Sequence, residues 1–488
     1  MNRLTVQVSR FDPLTDTAPH LETYHVEVRE GARVLHVLHA IHDYLDPSLA
    51  YRYCCGTGQC GSCAVRVNGV PVLACMEEAS DTMVIEPLDL PVLKDLTVDL
   101  IPYIDVLPAI ATDETAAPSM PSPGVVDQIK PLRACIGCMA CVSVCPALQV
   151  TEFAGPTAMR QEMRLALDPR DRQDRPSGAV KEGLFTCTSC QACWRVCPKE
   201  IQIPGKAIEK LRAMAHFEGH TLPRHAEVAC LIRETGRSVT RGEEPSLLEQ
   251  TPEVIEPYGP VKGTVGFFTG CLYNMRLPKT ALDAIEVLRR NGIRVIIPHE
   301  QICCGSPLIR TGQPEYLKTL QEKNIAAFVR CGTDIVMTMC AGCGSTLKHD
   351  YSTPFTVMDF SEVLEKFGIE KPAHLDLIVT YHDPCHLARG QEITEQPRVI
   401  LRQVADLAEM PAICCGSGGG VRSGVPEEAA ALGEMRRKEI EKTGAEMVIT
   451  CCPFCELHIS EHTEKPVRHL ATLLMESYRE KDMKKQHG

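Results

Sequence analysis

Cys135, Cys138, Cys141 and Cys145-Pro146 recur, with the same gaps and the same trailing proline, as Cys187, Cys190, Cys193 and Cys197-Pro198. This repeated CxxCxxCxxxCP run constrains the fold most, because thiols at such spacing hold metal and the chain between them must be shaped around it. The redox context agrees. The sequence opens MNRLTVQVSRFD, without the basic patch and apolar core of a secretory leader, so its 26 cysteines are expected to be reduced thiols rather than an extracellular disulfide framework. No stretch approaches the roughly 18 consecutive apolar residues of a membrane span, and a soluble, cytoplasmic chain is expected. A net charge of -12 argues against a nucleic-acid partner.

The spacing is that of two-cubane ferredoxins, in which three thiolates of each run cap one cluster and the fourth crosses to the other. Cys135, Cys138, Cys141 and Cys197 are thus read as ligands of one [4Fe–4S] cluster, and Cys145, Cys187, Cys190 and Cys193 as ligands of a second. Nearer the start, Cys55, Cys60, Cys63 and Cys75 have the Cx4Cx2C spacing with a distant fourth thiol that suits a plant-type [2Fe–2S] cluster. Gly56, Gly58 and Gly61 let that loop wrap closely and aim amide N–H groups at sulfur. Zinc is the alternative occupant of either set.

Hydrophobic periodicity places these loops. Residues 3–8 and 24–28 alternate as strands, Val34 to Ile41 line one helical face, and Asn68-Gly69 turns a hairpin between 64–67 and 70–73, with a further strand at 83–86. A β-grasp ferredoxin domain over 1–105 accounts for these elements. Ala111 to Gly124 is rich in Ala, Pro, Ser and Thr without periodicity, so 106–126 is read as a linker. Residues 127–225 carry helical signals, such as Lys206–His216, around the two cysteine runs, as an α-helical dicluster domain would. The fold class is therefore multidomain α+β.

From 261 the chain duplicates an α/β unit, 261–370 and 371–488. Strand 264–269, Cys271, helix 281–290, strand 293–297, Cys303-Cys304-Gly305, helix 316–330, strand 334–338 and Cys340-Ala341-Gly342-Cys343 make the first copy. Strand 375–381, Cys385, helix 398–406, Cys414-Cys415-Gly416, helix 427–442, strand 447–450 and Cys452-Pro453-Phe454-Cys455 make the second, offset by about 112 residues. A vicinal disulfide or zinc is the other reading of each CCG pair. Two facing sulfur-rich sites suit making or breaking a disulfide, which involves two sulfurs and two electrons.

Through Cys55-Gly56-Thr57-Gly58-Gln59-Cys60-Gly61, Pro91-Val92-Leu93-Lys94-Asp95-Leu96 and the run from Phe185 to Pro198, residues 1–225 resemble the iron–sulfur subunit of succinate dehydrogenases and fumarate reductases. That family commonly has a non-cysteine residue at the position of Cys190 and a three-iron cluster there, so Cys190 implies a complete [4Fe–4S]. The resemblance also implies an FAD-bearing flavoprotein partner. Gly416-Ser417-Gly418-Gly419-Gly420 lacks the final glycine of GxGxxG and is read as a turn, so no flavin is expected on this chain. The duplicated unit resembles the CCG domains found in the B subunits of heterodisulfide reductases, which implies two noncubane [4Fe–4S] clusters. Cys271, Cys303, Cys304, Cys340 and Cys343 would hold one, and Cys385, Cys414, Cys415, Cys452 and Cys455 the other.

Joined in one chain, the two halves resemble the B subunits of methanogen thiol:fumarate reductases. This implies oxidation of coenzyme M and coenzyme B at the CCG sites and electron flow through the cubanes and [2Fe–2S] to the flavoprotein, which reduces fumarate. The rival readings are a succinate:quinone oxidoreductase subunit and a non-catalytic relay of the glycolate or lactate oxidase type. Cys54, Cys230, Cys331 and Cys451 are left over and are read as small buried side chains. Arg276, Lys279, His386, Arg389 and Arg422 lie near the CCG cysteines and could draw anionic thiols.

Overall fold

The computed structural model describes residues 2–113 and 120–487; residues 114–119 of the stretch read as linker lie outside the described residues. The chain divides into two compact units, Met1–Leu184 with Gln191–Leu211, and Phe185–Cys190 with Arg212–Gly488. Cys187 and Cys190 thus belong to the second unit, and Cys193 and Cys197 to the first.

In the first unit β1 (Asn2–Arg10) pairs antiparallel with β2 (His20–Val28), which turns Leu4, Val6, Val8, Tyr24 and Val26 into the core. β3 (Ala64–Val67) and β4 (Val70–Leu73) form the hairpin about Asn68-Gly69, where both residues take positive φ, 49° and 80°. β5 (Val84–Glu86) joins parallel to β1 and antiparallel to β3, giving the order β2-β1-β5-β3-β4. The helix Val34–Tyr44 buries Val34, Leu35, Val37, Leu38 and Ile41 in the same core.

The Pro91–Leu96 motif becomes a small hairpin, β6 (Val92–Lys94) with β7 (Thr97–Val98), turned at Asp95. Asp95 is 2% exposed, and its carboxylate accepts from Arg10 Nε at 3.1 Å, Phe11 N at 2.9 Å and Ala50 N at 2.8 Å. A buried carboxylate with three donors is fully satisfied, and it ties the chain entering the first cysteine loop to the sheet. Beyond this domain the helix Pro123–Arg133 begins inside the stretch read as linker. Ser122 caps it, and proline, which has no N–H to leave unsatisfied, occupies its first turn. The Arg175 guanidinium donates to Ala109 O at 2.6 Å, which holds the chain before residue 114 against the helix Arg175–Lys181. The helix expected over 206–216 starts as a wide π-turn at Pro204–Ile208 and continues as Glu209–Phe217.

In the second unit β8 (Val254–Ile255) edges a sheet of β9 (Gly263–Phe268), β10 (Ile293–Ile296), β11 (Ile335–Thr338) and β12 (Thr356–Asp359), in the order β12-β11-β9-β10-β8. The second copy builds β13 (Ile378–His382), β14 (Asp406–Ala408), β15 (Met447–Thr450) and β16 (Val467–His469), in the order β14-β13-β15-β16. Read in the same direction, the four parallel strands of each copy follow one connectivity, so the repeat legible in the cysteines is a repeat of topology. Strands β12, β14 and β16 escape the periodicity reading because three or four residues are too short to alternate convincingly. The helix read at 398–406 is Glu395–Val404, and Asp406 has already entered β14.

Each copy lends its last helix to the other. Phe360–Phe367 packs on Glu395–Val404 of the second copy, and Leu470–His487 packs on Pro278–Arg290 of the first. There Arg290 pairs with Asp482 at 2.7 Å, Arg479 with Asp283 at 2.8 Å, and Asn291 Nδ2 donates to the fully buried Tyr478 Oη at 3.1 Å. One hydrophobic core runs through both sheets, from Val265 and Val336 to Val379 and Val448. Tyr478→Ala empties a packed site in that shared core and is expected to cost roughly 3 to 5 kcal/mol. In urea both copies should unfold in one transition at lower denaturant; two separate transitions would contradict a shared core.

Candidate iron–sulfur centres

The first cysteine loop is built to hold anionic sulfur. Thr57 N and Gln59 N donate to Cys55 Sγ at 3.4 and 3.3 Å, and Gly58 N donates to Cys75 Sγ at 3.3 Å. Those amides pull the Cys55 thiol down to about 6, while burial pushes Cys63 up to about 11. Gly56, Gly58 and Gly61 all have positive φ, the conformation that lets the loop turn its N–H groups inward.

Cys135, Cys138, Cys141 and Cys197 converge on one cavity, lined also by Thr157, Arg160 and Pro198. Cys141 Sγ lies 3.0 Å from Thr157 Oγ1, and burial pushes Cys138 up to about 11. Arg160 lines the same cavity with a buried Nε that has no hydrogen-bond partner. Four converging thiols beside a guanidinium whose Nε–H is unpaired fit an anionic cluster, whose sulfurs accept hydrogen bonds. A Cβ on Gly61 would lie 2.8 Å from Cys138 Cβ and 2.9 Å from Ile136 O, so the first loop rests directly on the second.

In the CCG pair each single cysteine opens a helix, Gly270–Met275 or Cys385–Gln391, and each CxxC opens another, Ala341–His349 or Pro453–Ser460. These helices exchange partners. The first copy's CxxC helix packs on the second copy's single-cysteine helix, where His349 Nε2 meets Gly390 O at 2.8 Å; the converse pair, Gly270–Met275 with Pro453–Ser460, also packs together. The ten thiols consequently form one buried row. Cys271 contacts Cys303, Cys304 contacts Cys343, and Cys340 reaches across to Cys452 of the other copy. Beyond it Cys415 Sγ lies 3.5 Å from Cys455 Sγ, and Cys385 Sγ lies 3.5 Å from Cys414 Sγ.

Hydrogen bonds from Cys303 and Cys343 draw the Cys304 thiol down, and those from Cys414 and Cys455 draw down Cys415. Cys343 and Cys455 are pushed up, first by their contacts with neighbouring thiols and then by burial. Thiols this close in a dry site cannot all ionise unless a cationic metal lies among them. The backbone prepares for charge: Ser238 N, Gly305 N, Ser306 N and Gly416 N donate to Cys271, Cys303, Cys304 and Cys414 at 3.3 to 3.4 Å. His382 adds a ring nitrogen within 4.8 Å of the sulfurs of Cys415 and Cys455. All 22 cysteines assigned to clusters are free thiols rather than disulfides.

The row continues into the ferredoxin segment. Cys414 contacts Cys190 and lies 3.4 Å from Thr188 Oγ1. The glycine run read as a turn serves close approach: a Cβ on Gly419 would sit 2.5 Å from Cys187 O, and one on Gly418 would sit 2.8 Å from Thr188 O. Arg212, fully buried, donates to Arg310 O at 2.6 Å, Gly419 O at 2.8 Å and Cys187 O at 2.7 Å, and so pins segment 185–190 to both CCG copies. Arg212 has no sequence signature, since it reads as one more charge on an amphipathic helix.

Of the residues read as able to draw anions, Arg276 bonds Thr240 at the surface, Lys279 pairs with Glu244, and Arg422 pairs with Glu461. His386 keeps a buried Nε2 without a partner, and Arg389 faces backbone carbonyls. Among the leftover cysteines Cys451 is buried, but Cys54 is exposed and Cys230 and Cys331 are half-buried, which corrects that expectation for three of the four. Among the described residues no helix is long and apolar enough to cross a membrane.

Residues 5–105 match the 2Fe–2S iron–sulfur cluster binding domain family, 131–201 the 4Fe–4S dicluster domain family, and 265–348 and 379–460 the cysteine-rich domain family. Fold and thiol arrangement thus define an iron–sulfur oxidoreductase subunit. The chain is 44% identical to the B subunit of the fumarate reductase (CoM/CoB) of Methanothermobacter marburgensis, over 95% of each chain. It is 28% identical to the D subunit of the dihydromethanophenazine:CoB–CoM heterodisulfide reductase of Methanosarcina barkeri, over 68% of this chain and 90% of that one. It is 35% identical to the fumarate reductase iron–sulfur subunit of Haemophilus influenzae, over 42% of this chain and 91% of that one. A hypothetical protein from Helicobacter pylori shares the fold, with a TM-score of 0.65 at 13% identity over 98% of this chain and 95% of that one. The chain belongs to the family of fumarate reductase (CoM/CoB) B subunits.

Gly419→Val forces a branched side chain into the 2.5 Å gap to Cys187 O at a φ of +65°. It is expected to displace Cys187 and Cys190 and lower iron content by about four per chain. Unchanged iron and sulfide in the purified variant would contradict the role given to this contact.

Proposed function

We propose that this chain oxidises coenzyme M and coenzyme B to their mixed disulfide at the CCG pair and delivers the electrons to an FAD-bearing partner that reduces fumarate to succinate. The observation that carries the reading is the unbroken row of thiols from Cys271 to Cys190 within one unit. A site built from two facing halves matches a reaction in which two thiols each lose one electron and one proton and a single S–S bond forms. The two electrons and two protons are the number that converts one fumarate to one succinate.

In this assignment Cys271, Cys303, Cys304, Cys340 and Cys343 hold one noncubane [4Fe–4S] cluster, and Cys385, Cys414, Cys415, Cys452 and Cys455 hold the other. Cys145, Cys187, Cys190 and Cys193 hold a cubane, Cys135, Cys138, Cys141 and Cys197 a second cubane, and Cys55, Cys60, Cys63 and Cys75 the [2Fe–2S]. Bound there, the clusters supply one-electron storage and transfer, in that order toward the flavoprotein. Contacts inside each unit support that order. Arg212 and Gly419 hold the Cys187–Cys190 segment to the CCG copies, and Gly61 lets the first cysteine loop lie on Cys138. On this reading the chain works in the cytoplasm.

The test is iron and sulfide quantification with EPR on the anaerobically purified chain, before and after adding coenzyme M and coenzyme B thiols together. About 18 irons per chain and cluster reduction that requires both thiols are expected. About ten irons and no response to thiols would leave a three-cluster arm and overturn the proposal.

A further inference from the structure

The two CCG copies differ at one position in a way the shared fold does not require. Four residues after its single cysteine, the first copy carries the half-buried Met275, whereas the second carries Arg389 on the equivalent helix. Arg389 Nε donates to Cys190 O at 2.8 Å, and a terminal nitrogen donates to Ala412 O at 2.8 Å. Its charge lies beside three sulfurs, Cys190, Cys385 and Cys414, whose residues are only 9%, 6% and 1% exposed. A guanidinium keeps its proton in proteins, so Arg389 brings a fixed positive charge to this place. Cys190 is the position that separates this chain from the three-iron pattern, and here its sulfur contacts Cys414 while its carbonyl receives Arg389.

We propose that Arg389 is a positioning residue that couples the second CCG site electrostatically to the ferredoxin segment, by fixing one positive charge and two hydrogen bonds at the junction of Cys190, Cys385 and Cys414. The inference rests on the cluster assignment given under the proposed function. A cation held where water is scarce stabilises whichever neighbouring centre carries the extra electron. Arg389 would therefore raise the potential of a centre held at Cys385 and Cys414 and of one held at Cys190. An electron passing between clusters held at these two places would oxidise the one at the CCG cysteines and reduce the one at Cys190, with no bond made and no proton moved. Two such transfers match one pair of thiols.

The experiment compares Arg389→Gln, Arg389→Lys and Met275→Gln in the full, iron-loaded chain by iron content and by potentiometric EPR titration. Arg389→Gln is expected to keep its iron and to move the midpoints of the second CCG centre and the adjacent cubane negative by at least the equivalent of a tenfold change, about 59 mV for one electron. Arg389→Lys keeps the charge and should recover most of that shift, and Met275→Gln should leave both midpoints in place. Full iron with unmoved midpoints in Arg389→Gln would overturn the proposal, as would a shift in Arg389→Lys as large as in Arg389→Gln. If Arg389→Gln loses iron, Arg389→Lys decides alone: wild-type midpoints support the proposal and shifted ones overturn it. Zinc in place of iron in the unmodified chain would instead bring down the cluster assignment, and this inference with it.

Discussion

The arrangement depends on a crowd of thiols in a dry core. Ten cysteines from two copies of one fold are buried close enough for their sulfurs to touch in series, and backbone N–H groups point at several of them. Thiols this concentrated can ionise together only with cationic metal among them, and the rest of the second unit holds that concentration in place. The strand order, the paired helices that begin at each single cysteine and each CxxC, and the positive-φ glycine after each CC pair all deliver thiols to one seam.

Duplication explains how such a seam is stable. One CCG copy alone would leave its CxxC helix and its last helix without a covering partner. Two copies complete each other, because each places its last helix on the other's first long helix and its CxxC helix against the other's single-cysteine helix. The Cys340–Cys452 contact is the chemical counterpart of that exchange, since it joins the two sites at the place where the copies meet. Copy symmetry then breaks where the second copy meets the ferredoxin segment. His382, Arg389 and the Gly416–Gly420 run face that segment or the thiols beside it, while the first copy has Phe268 and Met275 at the matching distances from its cysteine.

Most of the fold was legible in the sequence because thiol spacing and hydrophobic period are local properties. The β-grasp elements, the hairpin at Asn68-Gly69 and the repeat of strand, helix and cysteine motif all follow from neighbours along the chain. The missing parts were short or remote. Strands of three or four residues such as β14 and β16 carry too little alternation, and Arg212 acquires its role only from carbonyls at Cys187, Arg310 and Gly419, one of them 207 residues away. In the sequence the glycine run after Cys415 reads only as a turn. Only the folded chain shows that the glycines admit the backbone of Cys187 and Thr188.

On the proposed reading, thiols oxidised at the CCG seam give up their electrons by way of Cys190. Rapid freeze-quench EPR, after mixing the oxidised, iron-loaded chain with both thiols, tests it most directly. A paramagnetic signal from the CCG sites that rises first, and decays as the [4Fe–4S] and [2Fe–2S] signals grow, is the predicted result. Ferredoxin-arm signals that grow without any earlier CCG signal, and that persist when Cys340 and Cys452 are both replaced by serine, would contradict it.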